Sequence, residues 1–539
     1  MQKLLLLGDE AIAQGAIDSG LSGIYAYPGT PSTEITEYVI RNKEAREKKI
    51  RASWSANEKT AMEAALGMSY AGKRAMVCMK HVGLNVAADA FLNSAITGAN
   101  GGLIVVSADD PSMHSSQNEQ DSRFYGQFAM IPVLEPSNQQ EAYDMVRYGF
   151  EISEKYGTPV MMRITTRLAH SRSGIIRKEG VGQNSLKLPE DLTQYILLPS
   201  LARKRYQLLL ENQGVFKKES GNSGYNRFFD GEDKKRGIIT TGIAYNYLME
   251  NFPEGSLKNP VLKITQYPLP EKMVRKVYEA CDEILVIEEG YPLVEDMLKG
   301  FLNTGKPVHG RMDGTLPRTG ELTPDIVEKA VKEGPDDEQK VSDLVQVRPP
   351  KLCKGCSHMD SFRALNAALE EYSKGRVFSD IGCYTLSAMK PLESINSCVD
   401  MGASVTMAVG AADAGLVPAV AAIGDSTFTH SGMTGLLDAV ISDSPITVLI
   451  LDNSTTAMTG GQPSAALGKL EDICKGIGVK EEHIHVINPI PKEHDKNVKI
   501  IREELEHPGI SVVIPRRECI QTLAKRMKAK RKVRQEKQS

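Results

Sequence analysis

A two-part rhythm recurs in three separated blocks of this chain: a short apolar run, then an Ala/Gly-rich helical stretch. Apolar runs that end in Gly or Asp loops and alternate with helices are the pattern of parallel α/β structure. In the first block, residues 1–175, "GIYAYPGTP", "RAMVCMKHVG" and "GGLIVVSADDP" read as strands running into loops. Residues 176–235 lose the rhythm, and "KKESGNSGYNRFFDGEDKK" reads as a linker or long surface excursion. Over 236–332 the rhythm returns in "RGIITTG", "PVLKITQYPLP" and "DEILVIEEG", as a small βαβ-type domain, until "KEGPDDEQK" breaks it as an acidic linker. The third block, 346–522, carries "RVFSDIGCY", "VPAVAAIGDS" and "PITVLILDN". Residues 523–539 form a basic tail, read as a solvated helical end, with a surface for an anionic partner as the alternative. Three doubly wound α/β domains are the expected architecture.

Composition narrows the classes of function. At 539 residues the chain can bury several cores, and 41% apolar with 25% charged residues is ordinary for a globular protein. A formal charge of −3 gives no electrostatic case for nucleic acid. No apolar run approaches the roughly 18 residues of a membrane span. The apolar run at 4–7, followed at once by Gly-Asp-Glu, is too short for a signal-peptide core. Eight cysteines in so long a chain are too sparse for a disulfide framework. A reducing, cytoplasmic setting is expected, where clustered cysteines read as metal-binding or catalytic.

The densest chemical signal is "IGDSTFTHSG…VLILDNST". One strand ends in Gly424-Asp425-Ser426, a helix follows, and the next strand ends in Asn453, 28 residues after Asp425. In a parallel sheet both ends reach the same carboxyl edge, where ligands bind. Asp425 offers a carboxylate, Asn453 an amide oxygen and Thr455 a main-chain carbonyl, hard donors suited to Mg²⁺. Gly424 lets the backbone approach a phosphate, and the helix N-terminus after it favours anions. Taken singly, Gly-Asp and Asp-Asn are ordinary strand-ending turns. Their order and spacing resemble the thiamine diphosphate motif, so thiamine diphosphate and Mg²⁺ are the expected cofactors.

That cofactor needs a carboxylic acid beside its aminopyrimidine ring, favouring the imino tautomer that removes the thiazolium C2 proton. "SANEKTAMEAALGMSYAG" offers Glu58 and Glu63. Ser55-x-x-Glu58 ahead of an apolar run also reads as a helix capping box, a purely structural role for Glu58. Glu63 falls on another helix face and is expected to meet solvent. At the start of the third block, "KLCKGCSHMD" places Cys353-x-x-Cys356, a pair that zinc, thiol exchange or an iron–sulfur cluster could each use.

"YPGTPSTEI", "NEKTAMEAALGMSYAGKRAMVCMKHVGLNVAADAF", "SADDPSMHSSQNEQDSR", "RPPKLCKGCSH", "DIGCYTL", "MGASVTMAVG" and "GDSTFTH…LDNSTTAMTG" occur in that order. Together they resemble the alpha subunits of indolepyruvate:ferredoxin oxidoreductases, in the 2-oxoacid:ferredoxin oxidoreductase superfamily, over essentially residues 1–522. The resemblance implies a pyrimidine-binding domain at 1–175, a small transketolase-C-like middle domain at 236–332 and a diphosphate-binding domain at 346–522. It implies Glu58 as the activating carboxylate and Thr30 in "YPGTP" as a contact for the substrate's oxoacid end. Gly382, Gly402, Gly424, Asp425, Ser426, Asn453, Thr455 and His358 fall around the cofactor.

The resemblance also implies a proximal [4Fe–4S] cluster on Cys353, Cys356, Cys383 and Cys519; zinc and a thioredoxin-like pair are the competing uses of these thiols. Cys78, Cys281, Cys398 and Cys474 are expected to be packed apolar residues. The likeness sets the long polar loop "MHSSQNEQDSR", with His114, Gln117 and Asp121, beside the substrate. His81 in "MKHVGLN" is a candidate substrate contact, and His430, like His358, follows a cofactor motif. The implied reaction is oxidative decarboxylation of an aryl 2-oxoacid with coenzyme A, giving an arylacetyl-CoA and CO₂, with electrons passing through the cluster to ferredoxin. A smaller beta subunit is the implied partner, and two such heterodimers pair. The usual alpha subunit continues into a ferredoxin-type module with two runs of clustered cysteines. Here only the basic tail follows Cys519, so a relay beyond one cluster is expected from a partner. A non-oxidative thiamine decarboxylase or carboligase without a cluster is the alternative.

Overall fold

The computed structural model describes residues 3–191, 193–253, 255–332, 344 and 351–536, and the chain divides into two compact units, Met1–Gln339 and Lys340–Ser539. The acidic linker "KEGPDDEQK" lies, after Lys332, outside the described residues. No helix among the described residues is long and apolar enough to cross a membrane.

Among the described residues the larger unit is built on a seven-stranded sheet. In spatial order its strands are Gln266–Tyr267, Val133–Leu134, Val160–Thr165, Leu103–Asp109, Ala75–Lys80, Gly23–Ala26 and Arg51–Trp54, all parallel except the first. Its central strands are buried along their whole length. Met76 and Cys78 enter the core on one face, and Ala75, Val77 and Met79 the core on the other. Burial on both faces is why these strands read as continuous apolar runs. A second sheet orders Val308–His309, Glu283–Ile287, Arg236–Thr241, Val261–Ile264 and Arg227–Phe229, parallel except the last.

Two sequence readings change here. Residues 176–235, expected as a linker or long surface excursion, hold the mostly exposed helix Pro199–Asn222 and the edge strand Arg227–Phe229. That helix buries only Leu209, Phe216 and Ser220, so its apolar face is too sparse to stand out in the sequence. The one strand expected from "PVLKITQYPLP" is two: Val261–Ile264 stays in the second sheet, and Gln266–Tyr267 crosses to the edge of the first.

A buried ionic lattice joins these layers. Arg163 donates to Asp109 at 2.7 Å and to Glu135 at 2.5 Å, while Arg123 donates to Asp121 at 2.5 Å and Glu288 at 2.9 Å. The Tyr267 hydroxyl, on the crossing strand, donates to Glu135 at 2.8 Å.

The smaller unit has one five-stranded sheet among its described residues, all parallel, in the order Val377–Ser379, Ala419–Gly424, Ile446–Leu451, Ser511–Pro515 and Ile484–Ile487. Ala419, Ala421 and Ile423 enter one core, Val420 and Ala422 the other. Gly424 pairs in register with Leu451, so Asp425, Asp452 and Asn453 emerge at one carboxyl edge. The basic tail begins within the helix Ile520–Glu536.

Candidate active site

Asp425 opens a short helix directly after strand Ala419–Gly424. Its side chain is 2% exposed, and Oδ2 has no hydrogen-bond partner among the described residues. Burial, and next the Asp452 carboxylate, push its carboxyl up to about 7. A buried carboxylate oxygen without a protein donor carries a cost that a divalent cation removes, so this residue fits a Mg²⁺ ligand. Asn453 accepts the Thr455 amide at 3.0 Å through Oδ1, which keeps a second lone pair for a metal. Its Nδ2 stands 3.3 Å from His358 Nε2. The Ser426 and Thr456 hydroxyls, 3.0 Å apart, tie the two strand ends together. The Thr455 hydroxyl donates to the Gln462 carbonyl at 2.9 Å across a short hairpin.

His358 lies in the first turn of helix Ser357–Ala368. Burial, and then Arg517, pull its imidazole down to about 4, leaving it neutral at pH 7. His430 is also buried, after the Asp425 turn. The glycines are places of close approach. A Cβ on Gly424 would lie 2.7 Å from Tyr384 Cε1, and one on Gly382 would strike the same ring. Gly402, at φ +98°, caps helix Ala403–Asp413 where a Cβ would lie 2.6 Å from the Ser431 Cβ.

Sequence reasoning missed Asp380 in "SDIGCYTL". Its carboxyl accepts from the Ser404 hydroxyl at 2.6 Å and from the Tyr384 hydroxyl, and burial pushes it up to about 7. The signal was present: like Asp425, it follows a strand at the carboxyl edge, one residue after Val377–Ser379.

Cys353, Cys356, Cys383 and Cys519 line one cavity of about 160 Å³, together with His358 and Asn453. The first pair sits in a turn before helix Ser357–Ala368, and Cys383 follows Gly382 directly. Cys519 is drawn in by its amide, which donates to the Asn453 carbonyl at 3.1 Å. Arg517 fastens the Cys353–Cys356 turn, donating to the Gly355 carbonyl at 3.0 Å and to Asp360 at 3.1 Å. Burial, and then Cys356, Cys519 and Cys353, push the Cys383 thiol up to about 12. Among the described residues no three metal donors that include a cysteine lie within 4.8 Å of one another. A tetrahedral zinc with Zn–S near 2.3 Å would hold its sulfurs ~3.8 Å apart. Cys78, Cys281 and Cys474 are buried, but Cys398 is exposed, in irregular chain beside the Asp380 carbonyl rather than in a core.

In the larger unit Glu58 is the first residue of helix Glu58–Tyr70 and is 5% exposed. The Ser55–Glu58 capping box does not form. Asn57 is the cap instead, accepting the Thr60 amide at 2.9 Å, while the Thr60 hydroxyl accepts the Asn57 amide at 3.3 Å. Glu58 lies against helix His81–Thr97, where a Cβ on Gly83 would stand 2.6 Å from its Cγ and 2.8 Å from its Cδ. Glu63 is solvent-facing and pairs with Lys59.

Thr30 is half-buried, and its carbonyl accepts from the Ser115 hydroxyl at 3.4 Å. Lys80, a second residue the sequence did not single out, ends strand Ala75–Lys80 and donates to the Ser115 carbonyl at 2.7 Å. Burial pulls its ammonium down to about 8, against the support of Asp110. The buried His81 ring stands 3.2 Å from Asn118 Oδ1. The Thr30 turn, the Lys80–His81 strand end and the polar loop therefore converge. His114 and Gln117 in that loop are exposed, with His114 3.6 Å from Glu321. Asp121 is no surface group: burial would raise its carboxyl, but Arg123 and Arg163 outweigh burial and hold it below the usual range. Its oxygens are spent on the ionic lattice.

The comparisons with known proteins agree with this geometry. Residues 14–191 match the family described as pyruvate flavodoxin/ferredoxin oxidoreductase, thiamine diphosphate-binding. Residues 380–529 match the C-terminal thiamine pyrophosphate-binding domain of thiamine pyrophosphate enzymes. Indolepyruvate oxidoreductase subunit IorA of Archaeoglobus fulgidus is 40% identical, over 96% of this chain and 86% of the relative. The same-named subunit of Pyrococcus horikoshii is 38% identical over the same shares. The fold is similar to a 2-oxoglutarate:ferredoxin oxidoreductase from Magnetococcus marinus, with TM-score 0.50 and 18% identity over 61% of this chain and 65% of that one. The chain belongs to the indolepyruvate:ferredoxin oxidoreductase alpha-subunit family, the thiamine diphosphate-dependent 2-oxoacid oxidoreductases.

Proposed function

We propose that this chain oxidatively decarboxylates aryl 2-oxoacids of the indolepyruvate type, with coenzyme A, to arylacetyl-CoA and CO₂. The bond to the carboxylate carbon breaks, the coenzyme A thiol gives up its proton as the thioester C–S bond forms, and two electrons leave singly through a [4Fe–4S] cluster to ferredoxin. The observation that carries this reading is the shared cavity in which four cysteines stand with His358 and Asn453. Ligands for an electron acceptor line the same wall as a ligand for the cofactor's metal.

Thiamine diphosphate, when bound, supplies the carbon nucleophile and the electron sink. The chain's own residues do the rest. Asp425, Asn453 and the Thr455 carbonyl would hold Mg²⁺, and Gly424, Gly402 and Gly382, where no Cβ fits, would leave the main chain open to the diphosphate. His358, neutral, orients Asn453. In the larger unit, Glu58 would supply the activating carboxyl for the aminopyrimidine. Thr30 and the Lys80 ammonium would receive the oxoacid carboxylate, with the neighbouring His81 ring fixed by Asn118. A smaller beta subunit completes the heterodimer, and two heterodimers pair.

Iron and acid-labile sulfide, measured per chain after strictly anaerobic purification, test this. Near four of each supports Cys353, Cys356, Cys383 and Cys519 as cluster ligands. Thiamine diphosphate bound with neither iron nor sulfide would make the chain a non-oxidative decarboxylase or carboligase.

A further inference from the structure

Asp9, Glu34 and His170 each bring a ligand atom to within 4.8 Å of the others, from the helices Gly8–Asp18, Thr33–Arg41 and Thr166–His170. Asp9 is 0% exposed, and neither of its carboxylate oxygens has a hydrogen-bond partner among the described residues. An unpaired carboxylate in that position is among the costliest placements a side chain can take. Its surroundings add to the cost: burial, then Glu34, then Glu10, push the Asp9 carboxyl well above its usual range. Glu10 is already engaged by the Leu7 amide at 2.9 Å, so it offers Asp9 no relief.

His170 Nε2 stands 3.6 Å from Glu34 Oε2. That is close to the ~3.4 Å edge of a tetrahedron whose metal–ligand bonds are about 2.0–2.1 Å. His170 is exposed and Glu34 half-exposed, so a small ion can enter from solvent, while Asp9 closes the inner side. One imidazole beside two carboxylates suits a zinc-class ion; Mg²⁺ and Ca²⁺ favour all-oxygen shells.

We propose that Asp9, Glu34 and His170 form a divalent transition-metal site of the zinc class, completed by water. The ion ties the first helix of the chain to the helix that follows the Thr30 turn and to the segment after strand Val160–Thr165. Its role is structural, and it stands whether or not the cysteines hold an iron–sulfur cluster.

The test uses the full chain, titrated with Zn²⁺ by equilibrium dialysis and elemental analysis, beside Asp9→Asn and His170→Ala. His170 is exposed, so its variant is expected to fold. Co²⁺ serves as an optical probe: carboxylate and imidazole ligation gives weak visible bands without the near-ultraviolet thiolate-to-cobalt charge transfer of the cysteine site. Wild type should bind one equivalent more than either variant, and its Tm should rise with Zn²⁺ where theirs does not. Equal stoichiometry in all three proteins, or cobalt spectra of thiolate ligation alone, overturns the proposal.

Discussion

Replacing Gly83 by alanine moves Glu58 without altering it. The added methyl would lie 2.6 Å from Glu58 Cγ and 2.8 Å from Cδ, where carbon atoms ordinarily stand ~3.5–4.0 Å apart. Both the stem and the carboxyl carbon are blocked, so turning the carboxylate about its last bond gives no relief. The whole side chain must retreat by about 1 Å. A displacement of that size at a reacting group costs on the order of 10²-fold in rate, or ~3 kcal/mol of barrier. Stability moves the other way. Gly83 lies inside helix His81–Thr97, where alanine contributes up to ~1 kcal/mol over glycine, offsetting part of the strain. The variant should therefore fold, retain thiamine diphosphate and melt within a few degrees of wild type, while kcat for indolepyruvate-dependent dye reduction falls about 100-fold. Glu58→Gln, which removes the acid in place, calibrates the loss, and the double variant should add little to it. Wild-type kcat in a folded Gly83→Ala protein would refute the working position assigned to Glu58.

Two further outcomes follow from the pocket chemistry. As the proposed Mg²⁺ ligand Asp425 would act in its ionised form, and burial pushes its carboxyl up to about 7. Affinity for Mg²⁺–thiamine diphosphate should thus weaken about tenfold per pH unit below 7 and level off above it; fluorescence titration of cofactor-stripped protein reads this, and Asp425→Asn should flatten the profile. Lys80→Met should raise KM for the 2-oxoacid roughly 10- to 100-fold, the worth of one charge-assisted hydrogen bond, with a smaller change in kcat. A variant with unchanged KM would remove Lys80 from substrate recognition.

What was legible in the sequence was whatever rests on short-range order. Asp425 and Asn453 could be paired because a strand–helix–strand unit brings successive strand ends to one edge. Glu58 was obscured by a one-residue ambiguity: Asn57 caps as well as Ser55 would, and only the folded backbone chooses between them. Asp121 sits in a polar loop that looks like a binding element, yet its oxygens are committed to Arg123 and to Arg163, 42 residues further along. Pairing over that distance leaves no mark on periodicity. Lys80 was hidden for a related reason, since a lysine at a strand end is commonplace until burial makes it unusual. The helix Pro199–Asn222 was lost because a mostly wet helix carries little apolar pattern.

The groups at the carboxyl edge of the smaller unit share one electrostatic tendency and differ in how they are satisfied. Asp425 and Asp380 are both pushed up to about 7, Cys383 up to about 12 and His358 down to about 4, each chiefly by burial. Every shift favours the neutral form, as expected where charge is taken out of water. Hydrogen bonding then sorts them. Asp380 has both oxygens occupied, by the Ser404 and Tyr384 hydroxyls, bonds that oppose the upward push of burial, and it holds the Tyr384 wall. Asp425 keeps an oxygen that no protein donor among the described residues reaches, and Cys383 shares its cavity with three other cysteines. A cation at Asp425 would take up that free oxygen, whereas Asp380 has none to offer. Burial alone treats Asp425 and Asp380 alike, and an unspent lone pair is what separates a candidate metal ligand from a structural acid.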